Sequence, residues 1–575
     1  MSRTEALIGG VRVQRNAECP ARDGTVLRAD VYRPAAAGAL PVLLMRTPYG
    51  KAHAQSNSGY AHPSWYAAHG YVVVVQDCRA RWASDGEFVP YLHEAQDGHD
   101  AVEWAARPPG ADGRVGMYGY SYPGLVQLLA AAERPPSLTA IAPGFTTGQA
   151  YEGWTYRQGA LCLAWVASWA LYLACDTARR DGDDARLARL QAELLRVHDA
   201  YWTLPLRSLA PLCEAGYPSY FADWLEHPRH DEYWRRWSVD ADYGRLDVPA
   251  LHFTGWYDAF LNGTVANFHG MSRTGAREQR LVIWPWPHEP WEPVWGAAGA
   301  EGFRSADDVH LAWFDLHLKG IGPGVAAPAV RAFVLHDGWR DLPAWPPPGS
   351  AQVEWHLRSG GRANSAGGDG VLALDPAGAE PCDTFTYDPE LPIVSAGGHA
   401  CCEAGTSPVG PECQCGAEAT KGILVYTSAV LDEDLWLMGE ATAVLHCATD
   451  AADTDFAVRL CVVDAEGCSR NLQEGIVRCS FREGSEHAAP VEPGVVHEYR
   501  IQLGHVGIRV PAGFRLRVDV TSSDFPQWNR NLNSGCNPGR DGGAAAVVAT
   551  QTVHHDAAHP SRVLLPVAPP QPASV

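Results

Sequence analysis

Three residues of the types used in nucleophilic catalysis follow one another along this sequence of 575 residues: Ser121, Asp258 and His288. A serine hydroxyl can attack a carbonyl carbon when a histidine accepts its proton and an acid holds that histidine in the productive tautomer. The chemistry would be acyl transfer from an ester or amide, through an ester formed on the serine. Because a histidine taken blindly from the 23 in the chain is more often structural, the surrounding sequence has to support this interpretation.

The run around the serine predicts a sharp turn between a strand and a helix. Gly119-Tyr120-Ser121-Tyr122-Pro123-Gly124 follows the strand-like VGMY and precedes the helical LVQLLAAAE. At such a turn the hydroxyl projects clear of the sheet, beside helix N–H groups that can bind an oxyanion. The general G-x-S-x-G pattern is not met because residue 123 is proline, which the first helical turn accepts. A helix-capping serine is the alternative interpretation.

The acid and the base each follow a later strand pattern. Asp258 comes after VPALHFTGWY, and His288 comes after LVIWPWP. The order serine, acid, histidine, with each residue on a loop after a strand, is that of the α/β-hydrolase fold. We therefore predict that Ser121, Asp258 and His288 form a catalytic triad.

The elements that would position these residues form three parts. Short apolar runs separated by helical patterns, such as Pro41–Met45 and Tyr71–Val75, indicate a parallel sheet buried on both faces. A Trp-rich helical block interrupts this pattern and predicts an inserted cap. After AWPPPG the chain has short alternating segments typical of an all-β sandwich. The predicted boundaries are 1–143 and 244–345 for the α/β core, 144–243 for the cap, and 350–575 for the β domain.

Composition excludes several other classes of function. The formal net charge is −21 and no basic cluster occurs, which excludes nucleic acid and anionic membrane surfaces as partners. The longest apolar stretch, Ala160–Cys175, is too short to span a membrane and predicts a buried helix. The first residues lack a secretory pattern, so we expect a cytoplasmic protein whose fifteen cysteines are mostly reduced thiols. The expected partner is a small-molecule ester or amide substrate, and a homodimer is compatible with the sequence.

The motifs resemble those of the X-Pro dipeptidyl-peptidase and cocaine-esterase-like hydrolases, the CocE/NonD family. Its nucleophile motif G-x-S-Y-x-G is met by Gly119, Ser121, Tyr122 and Gly124, which accounts for the proline at 123. Further similar segments in the first half are DGTVLRADVYRP at 23–34, TPYGK at 47–51, QDCRARWASDGEF at 76–88, DGHDAVEWAARPPGADGRVGMYG at 97–119, GWYD at 255–258 and PWPH at 285–288. In the β domain they are ADTDFAVRLCVVDAEG, NLQEGIVR, SSDFPQWNRN and HPSRVLLPV.

The resemblance implies an α/β-hydrolase core with an inserted helical cap and a C-terminal jelly roll that helps to wall the active site. It also implies that the Tyr49 hydroxyl and the backbone N–H of Tyr122 bind the oxyanion. Each such donor is worth about 3 to 4 kcal/mol in a dry site. Two segments depart from the family pattern: Asp77-Cys78-Arg79-Ala80, where the family usually has D-x-R-G, and Gly410-Pro411-Glu412-Cys413-Gln414, which lacks the family's acid.

Other candidate residues carry weaker signals. Trp154, Trp165 and Trp169 would line an acyl pocket, although an aromatic stripe at helical spacing is more often core. Two acidic pairs could bind a substrate amine but are more often solvated: Asp85 with Glu87, and Glu289 with Glu292. The densest cysteine cluster comprises Cys401, Cys402, Cys413 and Cys415, with His399 nearby. Its spacing does not match common zinc motifs, so we predict reduced loop cysteines, no metal and no cofactor.

The leading functional prediction is a serine esterase that hydrolyses a small-molecule ester through an acyl-enzyme on Ser121. An X-Pro-type peptidase, an amidase or an acyltransferase would use the same triad and differ in leaving group and acceptor. A non-catalytic binding protein on a hydrolase scaffold is a third alternative, against which the complete set of catalytic residue types argues.

Overall fold

The computed structural model describes most of the chain. The described residues are 5–35, 38–53, 59–217, 219–275, 277–288, 293–298, 305–322, 328–401, 409–535, 537 and 539–573. Glu289, Glu292 and Cys402, which the sequence singled out, lie outside them.

Strands occur in both halves of the chain, whereas the long helices are confined to the first. The strands are β1 (Glu5–Ile8), β2 (Val11–Pro20), β3 (Val26–Pro34), β4 (Leu40–Thr47), β5 (Val72–Asp77), β6 (Ala111–Tyr120), β7 (Leu138–Gly144), β8 (Tyr156–Arg157), β9 (Ala160–Leu161), β10 (Ala250–Tyr257), β11 (Gln279–Pro287), β12 (Val330–Val334), β13 (Gly338–Leu342), β14 (Ala351–Arg358), β15 (Val371–Ala373), β16 (Asp383–Tyr387), β17 (Leu424–Ser428), β18 (Leu435–Thr449), β19 (Asp455–Val463), β20 (Ser469–Arg478), β21 (His497–Val510), β22 (Arg515–Thr521), β23 (Ala549–His554) and β24 (Arg562–Ala568). The helices are α1 (Pro63–Ala68), α2 (Glu94–Ala105), α3 (Tyr122–Ala132), α4 (Leu163–Asp181), α5 (Asp184–Leu194), α6 (Val197–Ala200), α7 (Tyr220–Glu226), α8 (Glu232–Arg235), α9 (Leu261–Thr274), α10 (Ala306–Phe314) with a π-helical extension (Asp315–Lys319), and α11 (Cys415–Glu418).

The first sheet has eleven strands in the order β1-β2-β3-β5-β4-β6-β7-β10-β11-β12-β13. The pairs from β5 through β12 are parallel, and antiparallel strands close both edges. The six residues of β5 are all buried, as a strand covered on both faces by helices requires. This arrangement confirms the predicted α/β core of hydrolase type.

Helices α4 to α8 lie between β7 and β10, where the sequence predicts the cap. The apolar stretch that begins at Ala160 forms β9 and then most of α4, and its residues are largely buried. Gly182 ends α4 in a left-handed conformation, and the side chain of Asp183 accepts a hydrogen bond from the backbone of Arg186 to begin α5.

The second sheet is formed by β14 to β24 and is largely antiparallel, with the order β16-β23-β18-β24-β14-β15-β17-β22-β19-β20; β21 pairs with β18. Alternation of burial along β16, with every second residue buried, matches a strand with one face on the core. The second half is therefore the predicted all-β domain. Its description as a jelly roll and the residue boundaries of the three parts stay predictions.

The two sheets meet at the carboxyl end of β10. The Tyr257 hydroxyl donates to the carbonyl oxygen of Asn471, on β20 of the second sheet, at 2.8 Å. The backbone N–H of Leu335 donates to Gly507 at 2.8 Å. The strand that leads to Asp258 is thus held directly by the β domain.

Two further expectations concern segments and thiols. In the part of the chain that the structure describes, no helix has the length and apolarity needed to cross a membrane. Among the described cysteines twelve are free thiols, as predicted, but the prediction that Cys401 is a reduced loop cysteine is wrong, because Cys401 is disulfide-bonded.

Candidate active site

Ser121 lies at the turn between β6 and α3 in a conformation that non-glycine residues rarely adopt. Its φ is +67° and its ψ is −130°, and the side chain does not cap the helix. Such backbone strain at a strand-to-helix turn is characteristic of a nucleophile elbow, and it argues against the capping interpretation. The residue is only 7% exposed.

Two glycines make this turn possible. A Cβ on Gly119, whose φ is +136°, would lie 2.6 Å from the Cβ of Pro123. A Cβ on Gly124 would lie 2.7 Å from the carbonyl oxygen of Gly144, where α3 packs against β7. The spacing G-x-S-Y-x-G therefore has a steric cause: each glycine stands where the backbone of the elbow is too close to a neighbour for a side chain.

Asp258 and His288 follow the neighbouring parallel strands β10 and β11. The Nδ1–H of His288 donates to Oδ1 of Asp258 at 2.7 Å, and both side chains are buried. The Thr254 hydroxyl donates to the other carboxylate oxygen at 2.6 Å, and the backbone N–H of Phe260 donates to Oδ1 at 3.1 Å. With Nδ1 committed to the carboxylate, Nε2 of His288 is the nitrogen that can accept a proton.

Aromatic rings place the imidazole beside the turn of the serine. The ring centroid of His288 lies 6.0 Å from that of Tyr120, the residue before Ser121. Phe145 contacts both rings, and Phe260 packs against the imidazole with centroids 5.1 Å apart. The serine turn and the histidine therefore share one aromatic environment.

Tyr49 reaches the same place from the loop after β4. The indole Nε1 of Trp169 donates to the Tyr49 hydroxyl at 3.1 Å. Burial raises the pKa of Tyr49 well above its ordinary value, although the side chains of Trp169 and Ser121, which lie close to the hydroxyl, lower it. The hydroxyl thus keeps its proton and can donate it to a negatively charged oxygen.

Tyr122 offers its backbone to the site and its side chain to the core. It is the first residue of α3, where amide N–H groups have no acceptor within the helix. Its hydroxyl donates to Oε1 of Glu94 at 3.0 Å and accepts from the backbone of Tyr91 at 3.0 Å. Arg46 pairs with the same Glu94 at 2.6 Å, so the Tyr122 side chain belongs to a buried polar network under the sheet edge.

The three predicted cap tryptophans are all at least 95% buried and pack around the site residues. Trp154 stacks on Phe260 with centroids 4.5 Å apart, and Trp165 contacts the same ring at 5.6 Å. Trp169 is the hydrogen-bond donor to Tyr49. Trp154 and Trp165 thus support the ring that contacts His288, whereas Trp169 acts on the tyrosine hydroxyl.

A charged pair from the β domain lies behind Asp258. Trp165, Asp258, His399 and Glu474 line a cavity of about 30 Å³, which has room for a water molecule but is too small for an acyl group. The Nδ1–H of His399 donates to Glu474 at 2.9 Å and its Nε2–H donates to the carbonyl of Trp256 at 2.7 Å, so the ring carries both protons. Burial raises the pKa of Glu474, but the charge and hydrogen bond of His399 and the amide of Gln527 lower it to about 2.

Comparisons with known proteins agree with this geometry. The profile of the X-Pro dipeptidyl-peptidase (S15 family) matches residues 23–290, and that of the X-Pro dipeptidyl-peptidase C-terminal non-catalytic domain matches residues 323–564. Cocaine esterase of Rhodococcus sp. (strain MB1 Bresler) is 34% identical over 574 residues, which cover 97% of this chain and 99% of the relative. This chain belongs to the CocE/NonD family of serine hydrolases.

Solved structures of similar fold cover both halves of this CocE/NonD hydrolase. An α-amino acid ester hydrolase superposes with a TM-score of 0.81 at 21% identity, over 97% of each chain. An aminopeptidase from a marine sediment Thaumarchaeota archaeon superposes with a TM-score of 0.80 at 21% identity, over 97% of this chain and 96% of the other. At this identity the likeness concerns the fold.

One departure of this CocE/NonD hydrolase from the family pattern now has a location. Ala80, where the family usually has glycine, has a φ of +51° and so takes the left-handed backbone itself. Its N–H donates to the carbonyl of Asp85 at 2.8 Å. The preceding Arg79 pairs with Asp97 at 2.6 Å and with Asp23 at 2.8 Å, which fixes the loop.

The acidic residues Asp85 and Glu87, considered as an amine site, are exposed. Asp85 lies 3.6 Å from Arg28, so it already has a cationic partner. The sequence reasoning missed Thr254, Phe260 and the pair His399–Glu474. Thr254 lies on β10, four residues before Asp258, and this proximity was the available signal. The His399–Glu474 pair depends on how the β domain docks.

Proposed function

We propose that this enzyme hydrolyses small-molecule carboxylic esters, with Ser121 as nucleophile, His288 as general base and acid, and Asp258 as the residue that orients the imidazole. The observation that carries the proposal is the pairing of a strained, strand-to-helix serine with a buried histidine whose Nδ1 is bound to a carboxylate. The 34% identity to a relative named as an esterase supports it.

The reaction would proceed in two balanced steps. In the first, Oγ of Ser121 bonds to the carbonyl carbon, its proton moves to Nε2 of His288, and that proton then passes to the departing alcohol. In the second, water bonds to the acyl carbon and gives a proton to His288; the bond between the acyl carbon and Oγ then breaks, His288 returns the proton to Oγ, and the carboxylic acid leaves. Asp258 stays ionised throughout and stabilises the imidazolium.

The oxyanion of each tetrahedral intermediate would be bound by the Tyr49 hydroxyl and the N–H of Tyr122. The hydroxyl keeps its proton because it is buried, and Trp169 orients it by donating to its oxygen. Donors fixed before the reaction need no reorganisation when charge develops, which is the main source of their effect.

The surroundings favour an uncharged, apolar acyl group. Phe260, Trp169 and Tyr120 contact the site residues, and burying a charged acyl group among such rings would be unfavourable. An X-Pro-type peptidase is the alternative, because the S15 profile matches the catalytic half of the chain. A substrate amine would need a free carboxylate, and Asp85 is paired with Arg28.

A fluorophosphonate probe followed by intact mass measurement tests the nucleophile. We expect one adduct per chain, lost in Ser121→Ala; an adduct that persists in that variant would show that another residue reacts. A series of p-nitrophenyl esters compared with an X-Pro p-nitroanilide tests the substrate class. We expect a burst of p-nitrophenol from the esters and much slower release of p-nitroaniline, and the reverse order would favour the peptidase.

We further propose that the enzyme acts in the cytoplasm on free small molecules, alone or as a homodimer. Fractionation of the source cells and the mass of the purified enzyme in solution would test these two points.

A further inference from the structure

Three thiols from separate parts of the β domain converge at its surface. Cys413 lies just before α11, Cys415 is the first residue of α11, and Cys468 lies in the turn between β19 and β20. Their three sulfur atoms all lie within 4.8 Å of one another. The fold therefore assembles a cluster that differs from the one visible in the sequence: Cys401 is disulfide-bonded and His399 is paired with Glu474.

The backbone holds this cluster together. Cys413 forms an antiparallel bridge with Arg470, and the N–H of Gln414 donates to the carbonyl of Ser469 at 2.8 Å. The two sides of the cluster are thus fixed by main-chain contacts, independently of the sulfur atoms.

The exposure of these residues sets them apart from the other cysteines. Cys413 and Cys415 are the exposed members of the free thiols that the structure describes, and Cys468 is partly exposed. Free cysteine is ordinarily among the most buried residues, where it packs as a small apolar side chain. Core packing therefore does not explain three cysteines that meet at the surface.

The charges around the cluster suit an anionic metal centre. Three thiolates around a divalent ion would carry a net charge of −1, and the positive charge of Arg470 acts on Cys468, together with the negative charge of Asp464. Arg470 is held in place by Asp464 at 2.5 Å and packs over Trp295 with its guanidinium carbon 5.1 Å from the ring centroid.

We propose that Cys413, Cys415 and Cys468 bind one thiophilic metal ion of the zinc type as three thiolates, with a water molecule as the fourth ligand. Zinc–sulfur bonds of about 2.3 Å in a tetrahedral site place the sulfurs about 3.8 Å apart, which is compatible with three sulfurs that lie within 4.8 Å of one another. Each thiol loses a proton to solvent on binding, and no oxidation or reduction takes place.

The ion would link the segment 412–415 to the β19–β20 hairpin. That segment is already linked to the active-site region: the Glu412 N–H donates to the side chain of Asn471 at 2.8 Å, and the Tyr257 hydroxyl donates to the carbonyl of Asn471 at 2.8 Å. Metal binding therefore stabilises the part of the β domain that holds the strand end before Asp258.

Cobalt and zinc titrations of the full-length enzyme test the proposal. Reduced protein, freed of metal by a chelator, is titrated with Co²⁺, and Zn²⁺ is then competed against a chromogenic chelator. We expect thiolate-to-cobalt charge-transfer absorption with one ion per chain, displacement by one Zn²⁺, and a higher Tm for the zinc form.

Cysteine variants assign the signal. The triple change Cys413→Ser, Cys415→Ser and Cys468→Ser should abolish it, and Cys468→Ser alone should weaken binding at least about tenfold. Cys213→Ser, a partly exposed cysteine of the cap, is the matched control and should bind as the wild type does. Esterase activity shows that each variant is folded.

A second measurement does not depend on variants that fold. In the wild type, bound zinc should protect the three cysteines from alkylation by iodoacetamide, as measured by peptide mass spectrometry. Equal metal binding by the triple variant would overturn the proposal. So would absence of metal binding by the reduced protein together with a disulfide between two of these cysteines in air, which would assign the cluster as a redox pair.

Discussion

The candidate active site and the β domain each contain a set of serine, histidine and aspartate, and the two sets differ in how the histidine is used. At the candidate active site, Nδ1 of His288 faces Asp258 at 2.7 Å. In the β domain, Nε2 of His555 lies 3.2 Å from Oγ of Ser359 and 3.0 Å from Oδ2 of Asp383. The Ser359 hydroxyl donates to Asp383 itself at 2.6 Å.

The second set is structural: Ser359, Asp383 and His555 form a hydrogen-bonded group that we call the Asp383 cluster. Ser359 follows β14, Asp383 begins β16, and His555 follows β23, so the carboxylate ties together three strand ends. Nε2 of His555 faces both partners, and Nδ1 lies 3.4 Å from Glu380. Because the serine proton already points at the carboxylate, neither nitrogen is placed to activate the hydroxyl. Composition and proximity therefore do not suffice for a triad: the carboxylate must occupy one imidazole nitrogen and leave the other for the serine.

The largest expected difference between the two sets appears when each serine hydroxyl is removed in turn. Ser121→Ala should lower kcat by about 10⁵-fold or more at an unchanged Tm, because the nucleophile is lost and its buried surroundings remain packed. Ser359→Ala should leave kcat unchanged and lower stability by about 1 to 3 kcal/mol, because buried partners lose a hydrogen bond. Ester hydrolysis and thermal unfolding measure both effects. A folded Ser359→Ala enzyme without activity would contradict the assignment.

The two aspartates provide the next test. Asp258→Asn should lower kcat by about 10⁴-fold, because an amide at that position favours the wrong tautomer of His288. Asp383→Asn should keep kcat and lower stability by about 2 kcal/mol at neutral pH, since an ionised acceptor of several hydrogen bonds is lost. If Asp383→Asn instead reduced kcat at an unchanged Tm, the Asp383 cluster would have a catalytic role.

Tyr49 and Tyr122 allow an oxyanion donor to be distinguished from a residue whose side chain only packs. Tyr49→Phe should lower kcat by about 10²-fold with little change in KM, since its hydroxyl would bind charge that develops only in the transition state. Tyr122→Phe is the matched control, because its hydroxyl contacts Glu94 and the site would use only its backbone. It should lower stability by about 1 to 2 kcal/mol and leave kcat unchanged. Equal kcat losses in both variants would argue against Tyr49 as the donor.

The candidate active site could be predicted from the sequence because its parts are local. Ser121, Asp258 and His288 each follow a strand whose apolar run is legible, and parallel strands bring their carboxyl ends to one edge. Neither the Asp383 cluster nor the cluster of Cys413, Cys415 and Cys468 could be predicted. Each depends on the pairing of antiparallel segments that lie far apart in the chain. A one-residue change in the register of that pairing would turn a side chain to the other face.

The smallest expected effect is the change, at low pH, in the stability that the Asp383 cluster contributes. Burial raises the pKa of Asp383, but hydrogen bonds from His555, Ser359, Ala363 and Tyr426 lower it below its ordinary value. An acid with a lowered pKa in the folded state contributes stability that is present above the pKa of the unfolded chain and is lost as the pH falls toward the folded value. The Tm difference between the wild type and Asp383→Asn should therefore be largest at neutral pH and shrink as the pH falls through about 4.

Glu474 extends this test to the site behind Asp258. Its pKa is lowered to about 2 by His399 and Gln527 despite burial, so its contribution should also be lost as the pH falls from about 5 toward 2. Thermal unfolding of Glu474→Gln beside Asp383→Asn at several pH values should show both differences closing in acid. A difference that stays constant would mean that the carboxylates act through packing alone. In that case the ionised state of Asp383 would not account for the hydrogen-bond geometry that distinguishes the Asp383 cluster from the proposed triad.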